Sequence, residues 1–165
     1  MNKVPLRQRS ALVYVLIALI PYSKPNILLA FKPGLFFLEL EKISKYKKKV
    51  LQNAYYRGVK DGLIDTAPKN PRLSALGERR VAPFVATRLG PDARLMVIFD
   101  VPEEDRGKRQ SLRNLLKLWG FNQVQKSVWT TNYDFRVYLT EFVDELGLDG
   151  CVEIYESLRH YPKLK

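Results

Sequence analysis

An apolar run, Leu95 to Phe99, stops abruptly on Asp100, Val101 and Pro102. Nothing else in the chain restricts the fold as sharply. A nearly continuous apolar run of this length reads as a strand covered on both faces, hence a central one. Proline removes a backbone donor and ends the ladder. A charged stretch follows, with Arg106, Lys108, Arg109 and Arg113, and from about Asp105 to Trp119 the pattern becomes helical. Leu112, Leu115, Leu116 and Trp119 recur on one face and form the expected buried stripe. Gly120-Phe121 ends that helix, and residues 121–132 read as one bent strand or two short ones. Residues 134–147 return to helical spacing through Phe135, Tyr138, Leu139, Phe142, Val143 and Leu146, and residues 151–158 read as a last strand. Strand, helix, strand pair, helix, strand suggests a small ferredoxin-like βαββαβ sheet with both helices on one face.

The first half differs in charge. Residues 1–94 hold 18 Lys+Arg against 6 Asp+Glu, whereas residues 95–165 hold 10 against 11. A concentrated positive field raises the local concentration of polyanions and points to nucleic acid. The segment 8–20 reads as an apolar helix. Lys3, Arg7 and Arg9 ahead of Ala11–Ile20 resemble the start of a signal peptide, but ten apolar residues ended by Pro21 are too few to span a bilayer. We expect a buried helix there and no membrane partner. Residues 26–43 read as a second helix, open to interruption at Pro33-Gly34, and residues 45–61 as a third, amphipathic one closed by Gly62. A hairpin follows: Leu63-Ile64-Asp65, a turn-rich tip from Ala67 to Pro71, and Arg72-Leu73-Ser74 returning. A helix over Ala75–Val85 completes this half.

Helix, helix, basic helix and hairpin is the order of a winged helix-turn-helix, whose third helix enters the major groove. The side chains expected to meet double-stranded DNA are Lys47, Lys48, Lys49, Gln52, Asn53, Tyr56, Arg57 and Lys60 on the helix, with Lys69 and Arg72 on the hairpin. Lys and Arg neutralise phosphates or read guanine, and Asn or Gln pairs with adenine. The whole is an expected α+β chain: a winged helix over 1–85, a linker over 86–94, and a ferredoxin-like dimerisation domain over 95–165.

Cys151 is the sole cysteine, so no intrachain disulfide forms, which fits a reducing, cytoplasmic setting. His160 has no Cys or His at ligand spacing, which argues against zinc. Asp100 has two readings. One is a ligand for Mg²⁺ or Mn²⁺, ions that prefer carboxylate and water oxygens and polarise phosphoryl groups, making Asp100 both the metal and the catalytic candidate. The other is a strand-end carboxylate that pairs with Arg106 or caps the next helix.

The stretch VIFDVPEEDRGKRQSLRNLLKLWGF, continuing into QVQKSVW, resembles the ferredoxin-like domain of CRISPR-associated protein two, a small adaptation nuclease and scaffold. It resembles at least as closely the central domain of the phenylacetate-degradation repressor (PaaX) family. KYKKKVLQNAYYRGVKDGLI, a hairpin and LSALGERRV are similar to the winged-helix end of such regulators, a part that bare adaptation nucleases lack. The resemblance implies a homodimeric, DNA-binding transcriptional regulator. The alternative it carries is a metal-dependent nuclease or DNA-holding scaffold subunit, with Asp100 at the position of the adaptation family's metal-binding aspartate. Val128-Trp129-Thr130-Thr131 departs from that family's pattern, in which an acidic residue commonly follows the aromatic.

Overall fold

A computed structural model describes residues 10–67 and 70–158. These residues divide into two compact units between Val81 and Ala82.

In the first unit, α1 (Ala11–Ala18), α2 (Lys24–Phe31), α3 (Pro33–Ile43) and α4 (Lys48–Lys60) precede a two-stranded antiparallel hairpin, β1 (Ile64–Asp65) and β2 (Arg72–Leu73), and the greater part of α5 (Ala75–Val85), whose last residues belong to the second unit. Ser10 and Ser23 cap α1 and α2, each accepting a backbone N–H on its side-chain oxygen. The expected helix over 26–43 is two helices. Lys32 adopts φ −142° and ψ 66°, and Pro33 opens the next helix, because the residue before a proline is driven out of the helical region. Val15, Leu16, Leu19, Phe36, Leu40 and Leu51 are buried to 1% exposure or less. The edge-to-face pair of Phe37 and Tyr55, 5.8 Å between centroids, joins α3 to α4.

Helix α4 is three residues shorter at its start than expected, because Lys47 is already extended and serves as the N-cap residue. At its other end Gly62 takes φ +68°, and the amides of Gly62 and Leu63 reach back to the carbonyls of Val59 and Gly58. Ser74 then ties the hairpin base to α5. Its amide donates to Leu63 O at 3.1 Å, its hydroxyl donates to Gly62 O at 2.6 Å, and the same oxygen accepts the Gly77 amide at 3.1 Å.

In the second unit β3 (Ala93–Phe99), a 3₁₀ turn (Glu103–Asp105), α6 (Arg106–Leu118), β4 (Asn122–Gln125), β5 (Val128–Thr131), α7 (Arg136–Leu146) and β6 (Val152–Leu158) follow in order. The four strands form one antiparallel sheet in the order β4-β5-β3-β6. Residues 121–132 are thus two strands, with a register shift between Gln123 and Gln125. β3 is central and alternates strictly between buried and half-buried positions. The buried stripe Leu112, Leu115, Leu116 and Trp119 meets Phe99, Phe121, Trp129, Phe135 and Leu139 in a single core, where the rings of Trp119 and Phe135 stack 4.9 Å apart.

The segment expected as a linker, 86–94, is instead bound into this unit. The Leu89 amide donates to Asn132 O and the Asp134 amide to Thr87 O, both at 2.8 Å, and Arg88 bridges Tyr133. The division between the units lies earlier, within α5. Among the described residues no helix is long and apolar enough to cross a membrane.

Arg136 links the start of α7 to β6. Its guanidinium donates to both Asp134 carboxylate oxygens, at 2.6 and 2.9 Å, and to Glu156 at 2.9 Å. These bonds hold the Asp134 carboxyl below its ordinary value of 3.8. The folded state therefore favours the ionised form. The contribution is complete above the unfolded value and is lost as pH falls below about 4. We expect Arg136→Gln to flatten the acid limb of a melting-temperature profile, leaving the neutral limb with a smaller change. An acid limb as steep as the parent's would argue against this linkage.

Candidate nucleic-acid interface

Helix α4 buries Leu51, Ala54 and Gly58 and turns its other side outward. Lys49, Asn53, Tyr56, Arg57 and Lys60 are exposed at spacings of three and four, forming one continuous stripe. Tyr56 is 67% exposed, and its ring meets that of Tyr55 edge-to-face, 5.7 Å between centroids. Lys48 and Gln52 lie half-buried at the margin, and Lys47 sits exposed at the cap. The Lys48 amide donates to Glu41 Oε1 at 3.1 Å, which fixes the first turn on α3. Gly58 allows this helix to approach closely: a Cβ there would stand 2.8 Å from Ile64 Cδ1 and 3.2 Å from Leu12 Cδ1.

The hairpin residues fare differently. Arg72 is exposed but its guanidinium donates to Asp65 across the strands at 3.3 and 3.4 Å. The other oxygen of Asp65 accepts the Ala67 amide, shaping the start of the turn. Lys69 lies outside the described residues. The structure thus places seven of the ten expected residues on α4 and an eighth at its cap, and ties a ninth into a local ion pair.

Asp100 lies elsewhere, in the second unit. Its amide donates to Cys151 O at 2.9 Å, holding the end of β3 against the strand β6 approach. The side chain is exposed. Among the described residues it pairs with no cation and caps no helix, so neither expected structural role is filled. Arg109, from the charged stretch that follows, is engaged with Glu103 at 2.5 Å and the Val101 carbonyl at 2.9 Å. Lys108 pairs with Asp105 at 2.9 Å.

Asp100 borders a cleft of about 500 Å³ whose other charged walls are Arg109, Arg113, Lys117 and Lys126. One carboxylate among four cations does not fit a hard divalent ion, which seeks several anionic oxygens. Among the described residues no three His, Cys, Asp or Glu side chains are grouped to hold a metal. The four-cation cleft is not legible in the sequence because its lining comes from the end of β3, α6, β4, the β4–β5 turn and β5. The spacing of Arg109, Arg113 and Lys117 at every fourth residue was its one sequence trace.

Residues 94–163 match the family model of the PaaX protein central Cas2-like domain. The second unit is similar to that domain. No curated protein matches the chain. The PaaX-type match covers the central strand, the Asp100-Val101-Pro102 stop, the Gln-x-Ser-Val-Trp run and the last strand. The basic helix α4 lies outside it.

Proposed function

We propose that this chain is a PaaX-type, DNA-binding transcriptional regulator that works as a homodimer in the cytoplasm. The observation that carries the reading is the exposed stripe of α4, in which lysine, asparagine, tyrosine and arginine alternate along one helix face. Support comes from its setting. The succession of α3, a short turn and α4, followed by the β1–β2 hairpin, supports reading these elements as a helix-turn-helix and its wing. The sheet order β4-β5-β3-β6 and the βαββαβ succession support the reading of a ferredoxin-like domain, which we take as the dimerising part. A two-fold dimer presents two recognition helices to two half-sites.

Binding of the full chain to duplex DNA, followed by fluorescence anisotropy at several salt concentrations, tests this. Affinity should fall steeply with salt. Lys49→Ala or Lys60→Ala should weaken binding to every sequence and reduce the slope by roughly one unit each. Asn53→Ala or Arg57→Ala should instead alter sequence preference, by about 1–3 kcal/mol per lost base contact. Absence of salt-dependent duplex binding would sink the proposal, and a monomer in sedimentation at tens of micromolar, roughly, would remove its dimeric part.

A further inference from the structure

The cleft beside Asp100 has a floor as well as charged walls. Trp129, 2% exposed, lines it, and its Nε1–H is buried without a hydrogen-bond partner. The Nε–H of Arg113, which lines the same cleft, is also buried and unpartnered. Two unpartnered donors on residues that line one cleft are costly, because a buried polar group without a partner loses its hydration for nothing in return. The rest of Arg113 is held in position: Nη2 donates to Lys126 O at 3.2 Å, and the guanidinium carbon stands 5.7 Å from the Phe99 ring centroid. Lys117 and Lys126 are exposed and, among the described residues, form no ion pair. Gln110, Gln123 and Ser127 add neutral polar groups to the rim.

Open donors beneath, unpaired ammonium groups at the rim and a surplus of positive charge describe a seat for an oxyanion bearing more than one negative charge. Phosphoryl groups meet that description better than a single carboxylate does. The volume falls within the range of small-ligand pockets. We propose that this cleft binds the phosphoryl group of a small anionic ligand, with Trp129 and Arg113 as the inner donors and Lys117 and Lys126 as the outer clamp. The proposal does not depend on α4 binding DNA.

Inorganic pyrophosphate is the probe. The full chain, ¹⁵N-labelled, is titrated at constant ionic strength while its two tryptophan indole resonances are observed. Trp129→Phe identifies the resonance of interest. We expect that resonance to move saturably and the Trp119 resonance to move little. Lys117→Gln with Lys126→Gln, both exposed positions, should raise the dissociation constant about tenfold or more. The same constant is measured calorimetrically, so the outcome stands even if Trp129→Phe fails to fold. A response that does not saturate, that sodium chloride reproduces, or that survives the double substitution would overturn the site. A short DNA duplex forms the second arm. If duplex moves the Trp129 resonance through Lys117 and Lys126 while pyrophosphate does not, the phosphates belong to nucleic acid and the small-ligand assignment fails.

Discussion

Replacing Gly77 with alanine should destabilise the first unit by on the order of 3 kcal/mol, although alanine is the better helix former. Gly77 lies buried in the first turns of α5. A Cβ there would stand 2.1 Å from the carbonyl oxygen of Leu63 and 3.1 Å from its carbonyl carbon. That carbonyl cannot simply retreat, because it accepts the Ser74 amide that closes the hairpin base. Moving α5 away instead would stretch the bond from the Gly77 amide to Ser74 Oγ. Gly107 is the internal control. It too is helical, on the exposed side of α6, and a Cβ there meets nothing within 4 Å. Gly107→Ala should leave stability unchanged or raise it by up to about 1 kcal/mol. Urea denaturation followed by circular dichroism compares the two. If both substitutions shift the midpoint alike, the close approach of α5 to the hairpin base is wrong.

The second large effect concerns α4. A chain carrying Lys49→Ala, Asn53→Ala, Arg57→Ala and Lys60→Ala should lose at least about a hundredfold in duplex affinity at low salt. Its melting temperature should hold, because all four side chains are exposed and alanine favours the helix. Arg72→Ala should cost less than any comparable change on α4, because its guanidinium is already committed to Asp65. A folded quadruple variant that binds as tightly as the parent would remove α4 from the interface.

The elements legible in the sequence were those with strong periodicity. Leu112, Leu115, Leu116 and Trp119 recur at helical spacing, and each is buried in the core. Gly62 marked the end of α4 because a left-handed φ is what that position requires. Boundaries set by hydrogen bonds between distant segments were not legible. Thr87 and Leu89 look like polar linker, and only the approach of Asn132 and Asp134 fixes them to the sheet. The same limit governs the sites. The stripe on α4 lies within one helix, so spacing alone assembled it. The cleft draws Asp100, Arg113, Gln123, Lys126 and Trp129 from separate elements, and Trp129, buried in the core, also carries an open donor.

The place of β3 in the middle of its sheet bears on how fast the two units can form. Most pairings of the first unit join helices close in sequence, and its hairpin needs only the turn between Asp65 and Arg72. β3 must wait. It pairs with β5 on one side and, from Ala93↔Leu158 to Phe99↔Val152, with the last strand on the other. Closing that loop costs chain entropy before any contact is gained, and contacts distant in sequence slow folding. During synthesis the first unit can settle while the apolar run Leu95–Phe99 still lacks its β6 neighbour. That interval, more than the finished fold, is when the chain is most exposed to pairing with the wrong strand.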